Sequence, residues 1–225
     1  MKLIYPTSLA KTLDAINDAY SKGNKLTKAE KLETARFIAS RHGSRYSYAN
    51  TFAPTKKDFN DGIFLFTGEN IKPGAAMMHI LGEEACRALH LLNVTDKKVK
   101  QALAEATNGM QERLDKYAYK HGIYCCGRCS AALWRHTVIS DFKDTEKLLT
   151  AGMKALKSRR DGKNRWRTFP FYYTLSALAE IDLPSAKTEI SYAAPSIERF
   201  LHSKSKTGKY DSRRRIIAEK VLDKI

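Results

Sequence analysis

Apolar residues recur every three or four positions along most of this chain, the spacing of one helical face. Residues 8–21 (SLAKTLDAINDAYS) show the pattern and stop before Gly23. Residues 28–41 show it again behind Thr27-Lys28-Ala29-Glu30. That is a capping box, in which the threonine hydroxyl and the glutamate each satisfy a helix-end N–H. The same spacing predicts helices over 74–92 after Pro73, and over 96–120 with Asn108-Gly109 as a breaking point. Further helices are predicted over 125–139, 145–159, 169–181, 185–193, 196–203 and 212–224. Clear strand signals are absent. Segment 44–72 reads as a loop, and at about 29 residues it is long for a passive connection, so it is expected to pack and to line a site. The pattern predicts an all-α fold of stacked helical hairpins, a short α-solenoid or an open α/α toroid. Residues 1–202 form the helical-repeat domain, and 203–225 a basic linker with a C-terminal helix.

Three amphipathic stretches end alike, in Arg41-His42-Gly43, Lys120-His121-Gly122 and Arg160-Asp161-Gly162. A glycine just past a helix fits the left-handed C′ position that other residues adopt at a cost. Each stop leads into aromatics: Tyr46 and Tyr48, then Tyr124, then Trp166 to Tyr173. The glycines are 79 and 40 residues apart, spacings that suit helix pairs set side by side. Residues 156–181 (LKSRRDGKNRWRTFPFYYTLSALAEI) resemble the repeat of α/α-toroid proteins, the terpene-cyclase and protein-prenyltransferase-like families. Asp161, Gly162, Trp166 and the run Tyr173 to Leu178 are the matching positions, about a fifth of the chain at most. The acidic motif of triterpene cyclases is missing. The resemblance therefore implies architecture, curved helix pairs around a concave and partly aromatic face, and no activity.

Charge changes the picture most. Forty Lys and Arg against 24 Asp and Glu give a net charge of +16, a field that favours anionic partners, nucleic acid above all. No apolar run is long enough to span a bilayer, and the N-terminus lacks a signal-peptide pattern, so a cytosolic location is expected. Reduced thiols follow from that location, leaving the four cysteines free, metal-bound or catalytic. P-loop, dinucleotide-fingerprint, nucleophile-elbow and H-E-x-x-H motifs are all absent.

Three places carry candidate chemistry. In 75–92, His79, Glu83, Cys86 and His90 form one narrow stripe, with Arg87 beside it, on a helix whose apolar arc covers about half the circumference. These are metal-binding or acid–base side chains, though an amphipathic helix is expected to carry one polar stripe in any case. Glu84 stands inside the apolar arc, where a carboxylate needs a partner such as arginine or takes a raised pKa. In HGIYCCGRCSAALWRH (121–136), Cys126-Gly127-Arg128-Cys129 is placed to open a helix, and Cys125, Cys129 and His136 share a face. As a zinc site this stretch needs His79, Glu83, Cys86 or His121 to complete it. As a redox pair it has a helix N-terminus and Arg128 to lower a thiol pKa. The third alternative is packing by small buried thiols. Finally, KSRRDGKNRWR (157–167) and residues 203–225 are rich in cations, as a phosphate-binding surface would be.

The leading expectation is a basic helical protein that binds nucleic acid or another polyanion. Arg159, Arg160, Arg165, Arg167, Arg213, Arg214 and Arg215 would contact phosphate and Trp166 would stack on bases. The second is an enzyme-like pocket with His79, Glu83 and Glu84 as acid–base groups and Cys86, His90, Cys126 and Cys129 as ligands of zinc. The third is a thiol redox role for Cys126 and Cys129.

Overall fold

A cap or a proline sets the start of most helices. In a computed structural model, which describes residues 1–118, 121–205 and 207–225, the chain is all-α apart from one small hairpin. Lys120 of the second glycine stop, and the end of the helix expected over 96–120, lie outside the described residues. Helix α1 (Leu9–Ser21) is capped by Ser8, whose side chain accepts from the Lys11 N–H, and it buries Leu9, Leu13 and Ile16. Helix α2 (Lys28–Ala39) carries the expected capping box of Thr27 and Glu30.

Segment 44–72 is more ordered than its sequence suggested. Helix α3 (Lys56–Asp61) follows a second capping box, Thr55 with Asp58. Strand β1 (Ile63–Phe64) pairs antiparallel with β2 (Asn70–Ile71), Ile63 facing Ile71. Elements this short hold too few positions for a period to show. Asp58 also accepts from the Ser8 hydroxyl at 2.5 Å and the Leu9 N–H at 2.8 Å, which ties the segment to the start of α1.

Helix α4 (Ala75–Leu92) is buried around nearly its whole circumference. Helix α5 (Lys97–Arg113), capped by Asp96, runs unbroken through Asn108-Gly109 and widens into a π turn at Leu114–Ala118. Gly109 serves close approach rather than a break: a Cβ there would lie 2.2 Å from the Ala49 carbonyl oxygen. Helix α6 (Gly127–Ile139) lies along α4 in the same direction. Ala76 meets Cys129, Glu84 meets Arg135, and His90 meets His136. Helices α7 (Thr145–Lys157), α8 (Phe171–Leu178), α9 (Pro184–His202) and α10 (Lys209–Leu222) complete the chain.

Helix α9 is one helix where two were expected. Pro195 is exposed within it, and so is Ser191, whose carbonyl loses its usual N–H partner, so water can satisfy that group. Gly43, Gly122 and Gly162 all take the left-handed conformation, with φ of 59°, 63° and 78°. The first and third turn short hairpins instead of ending helices, since His42 bridges to Phe52 and Arg160 to Trp166.

One hydrophobic core extends from α1 through α4, α6 and α8 to α10, and a smaller one gathers Met110, Leu114, Leu133, Phe142 and Leu148. Among the described residues no helix is long and apolar enough to cross a membrane.

Helix α10 packs on α8 and α9, and its arginines hold it there. Arg213 is 5% exposed and donates to Asp14 at 2.7 Å, to Asp18 at 3.0 Å and to the Phe66 carbonyl at 3.3 Å. Arg214 donates to the Thr67 carbonyl, and Arg215 to Asp211 and the carbonyls of Leu201 and Ser203. All three arginines expected to contact phosphate are thus engaged by groups within the chain, Arg213 in full burial. Hydrogen bonds to charged groups are worth about 1.5–3 kcal/mol. Arg213→Ala should therefore lower the urea unfolding free energy by about 2 kcal/mol, with Arg213→Lys recovering part of it; an unchanged midpoint would show that α10 docks by apolar contact alone.

Candidate functional site

The shared direction of α4 and α6 puts the stripe of α4 against the inner face of α6. Three groups of polar side chains result, one at the start of the two helices and two further along.

At the start, Cys126 is the N-cap of α6, in extended conformation, and Cys129 lies one turn inside. Their sulfurs are 3.6 Å apart. Cys125 is exposed, Cys126 half-buried and Cys129 buried. The Cys129 thiol draws the Cys126 thiol down to about 5 against the cost of partial burial; the helix-end N–H groups of Cys129 and Arg128 and the Arg128 guanidinium act in the same direction. The Cys129 thiol is pushed far up, first by its contact with Cys126 and then by burial. Burial and the neighbouring Cys126 raise Cys125. His79, one turn into α4, packs between the Tyr48 ring at 4.0 Å and the Tyr124 ring at 5.3 Å. Donor atoms of His79, Cys125 and Cys129 all lie within 4.8 Å of one another.

Backbone shapes this end. Thr168 holds a φ of 66°, a costly conformation for a β-branched residue. Its carbonyl presses on α6: a Cβ on Gly127 would lie 2.4 Å from the Thr168 oxygen. The basic hairpin of residues 159–167 therefore leads directly to the first turn of α6.

Further along, Glu83 and His136 are fully buried and joined, Oε2 to Nδ1, at 2.6 Å. The His136 ring lies 6.0 Å from that of His90. Glu83 Oε1, His136 Nε2 and His90 Nε2 have no hydrogen-bond partner. Burial, then His136, lowers the His90 pKa.

On the other flank, Glu84 finds the partner its position demands. It accepts from Arg135 at 2.5 Å and from the Tyr173 hydroxyl at 2.6 Å. Glu180 accepts from Arg87 at 2.9 and 2.8 Å and from Arg135 at 3.2 Å, while Asn17 accepts from both arginines. Asn17, Arg87, Arg135 and Glu180 of this network wall an open cavity of about 560 Å³ that also meets Tyr20, Val138, Ile217 and Lys220. Glu84 has its charge matched and its oxygens occupied, which suits a structural carboxylate better than an acid–base group.

The expected zinc ligands are only partly brought together. Cys126 and Cys129 meet, but Cys86 and His90 are not with them. His79 and His90 are eleven residues apart on one straight helix, roughly 16 Å, too far to share an ion. Cys86 is buried, and burial with nearby Glu83 pushes its thiol well up, which suits packing. His79, expected either as an acid–base group or as a residue completing a zinc site with the cysteines, stands among the cysteines. Cys125, Tyr48 and Tyr124 were not assigned roles. Cys125 is adjacent to the Cys-x-x-C pair, and Tyr48 and Tyr124 are aromatics that follow the first two glycine stops, so each carried a local signal without a role attached to it.

The basic hairpin divides in two. Trp166 is 4% exposed and donates its indole N–H to buried Glu189 at 2.9 Å, so its ring is not offered to a base. Arg160 pairs with the same Glu189 at 2.8 Å. Arg159, Lys163, Arg165 and Arg167 are exposed. Arg165 covers the Phe171 ring at 4.7 Å.

No family model, curated protein or solved structure matches this chain. The toroid resemblance of residues 156–181 accordingly lends no activity, and function has to be argued from the side chains.

The flank network makes a pH prediction. Burial would raise the Glu180 pKa, but Arg135 and Arg87 outweigh it and hold the carboxyl below its ordinary value. A depressed carboxylate stabilises fully above its unfolded pKa of about 4.3, and that stability is lost as pH falls through the lower folded value. Urea unfolding of the wild type should weaken between about pH 5 and 3 more steeply than that of Glu180→Gln, which starts less stable at pH 7. Equal slopes would place the acid sensitivity elsewhere.

Proposed function

We propose that this chain is a thiol–disulfide exchange protein in which Cys126 attacks and Cys129 resolves. The observation that carries the reading is the placing of the pair: Cys126 caps α6 at the surface, with Cys129 buried 3.6 Å beneath it. A helix N-terminus favours the thiolate at Cys126, and burial keeps Cys129 from meeting a substrate directly.

The chemistry balances with a disulfide as the only co-reactant. The Cys126 thiolate attacks one sulfur of the substrate, the S–S bond breaks, and a thiolate leaves with the electron pair. Cys129 gives up its proton to the departing thiolate and attacks Cys126. The sulfurs close from 3.6 Å to about 2.05 Å, and the second substrate thiol is released. Two protein thiols are oxidised and one disulfide is reduced. Arg128, exposed beside Cys126, adds a positive charge next to the attacking sulfur.

Stopped-flow exchange with a small disulfide checks this. Cys126→Ser should slow the reaction about 100-fold, Cys129→Ser should accumulate a mixed disulfide on Cys126, and Cys86→Ser should do neither. Wild-type rates in Cys126→Ser, or a mixed disulfide on Cys125, would sink the proposal.

A second reading, nucleic-acid binding, keeps one supporting observation: the exposed cations Arg159, Lys163, Arg165 and Arg167 sit on one hairpin held by the Trp166–Glu189 contact. Each phosphate neutralised adds about 0.9 to the salt dependence, on a log–log scale. A labelled duplex titrated at several salt concentrations should bind the wild type, with Arg159→Glu/Arg167→Glu about 10-fold weaker and its salt slope lower by nearly two. Equal affinity and slope would remove the hairpin from any such role.

A further inference from the structure

We infer that the reduced chain holds one zinc-class ion on His79, Cys125 and Cys129. The inference goes beyond exchange chemistry and does not depend on it.

Thiol–disulfide exchange uses two sulfurs. This end of the molecule gathers three, and adds an imidazole from another helix. Cys125, Cys126 and Cys129 come from the N-terminus of α6 and His79 from the first turns of α4. The mutual reach of 4.8 Å among His79, Cys125 and Cys129 is one a single ion can close by small side-chain rotations. Zinc bonds of about 2.3 Å to sulfur and 2.0–2.1 Å to nitrogen, at tetrahedral angles, set donors roughly 3.6–3.8 Å apart.

His79 adds an independent indication. It is 8% exposed, and its Nδ1 has no hydrogen-bond partner. Buried polar atoms in native proteins are rarely left so. The Tyr48 and Tyr124 rings fix the plane of this imidazole, the orienting task that surrounding groups perform for metal-bound histidine. Exposed Cys125 gives the ion a way in. Soft thiolates with one imidazole select zinc, or cobalt as its spectroscopic stand-in, over magnesium or calcium.

The ion and the Cys126–Cys129 disulfide both need the Cys129 sulfur and exclude each other. Loading displaces the thiol protons of Cys125 and Cys129 to solvent and needs no oxidant. A loaded chain would be protected from oxidation, and oxidation would expel the ion.

The experiment uses the full chain, reduced and metal-free, titrated with Co²⁺ and then with Zn²⁺ against a chromophoric chelator. Expected are one ion per chain, sulfur-to-cobalt charge-transfer absorption with the strong visible bands of a tetrahedral site, and loss of binding after disulfide formation. Cys125→Ser, at an exposed position that leaves folding intact, should weaken Zn²⁺ about 100-fold, as should His79→Gln, with Cys86→Ser unchanged. Absence of charge-transfer absorption, or wild-type affinity in both Cys125→Ser and His79→Gln, overturns the inference. Exchange kinetics on Cys125→Ser keep the two proposals apart. Exchange that persists where the wild type binds no metal defeats the ion alone. Tight binding by a wild type without exchange defeats the redox reading and leaves the ion standing.

Discussion

The burial of Arg135 between Glu84 and Glu180 is the constraint on which the molecule depends. A guanidinium shut away from water is tolerable only with its charge matched and its donors used. Here two carboxylates, the Asn17 carbonyl oxygen and the face of Tyr173 supply that surrounding. The requirement fixes how far α6 may slide along α4. A one-residue slip would turn Arg135 about 100° away from Glu84 and separate His136 from Glu83 in the same movement. With the register held, the first turns of the two helices are aligned as well, and His79 reaches Cys125 and Cys129. The geometry at the thiols is thus inherited from an ion pair further along the helices.

Much of the architecture was legible because it rests on local rules. Periodicity located the helices, the Thr27 box marked the start of α2, and glycine after a basic residue marked left-handed turns. What failed to show also had local causes. A two-residue strand has no alternation to read, and Pro195 suggests a break unless its exposure is known. At the candidate site the sequence offered the right residue types and the wrong grouping. Four polar side chains on one stripe of α4 look like one site, yet a helix spreads them over three turns. The sulfurs next to His79 come from an element about 50 positions later, and no single-sequence pattern states that two distant helices run in the same direction.

The basic composition misleads in a similar way. Sequence counts cations without their partners. Arg87, Arg135, Arg160 and Arg213 are each held by carboxylates inside the fold, and Arg214 and Arg215 cap loop carbonyls. Much of the arginine content thus acts as internal cement. The excess that faces water includes Arg159, Lys163, Arg165 and Arg167 of the 159–167 hairpin.

Gly127 has a consequence for how this chain can diverge. The Thr168 carbonyl fills the space where a side chain would begin, so one of the two residues between Cys126 and Cys129 is closed to substitution. Arg128, exposed to solvent, is the other. Within the intervening pair, a change in the charge beside Cys126 can therefore come only through position 128.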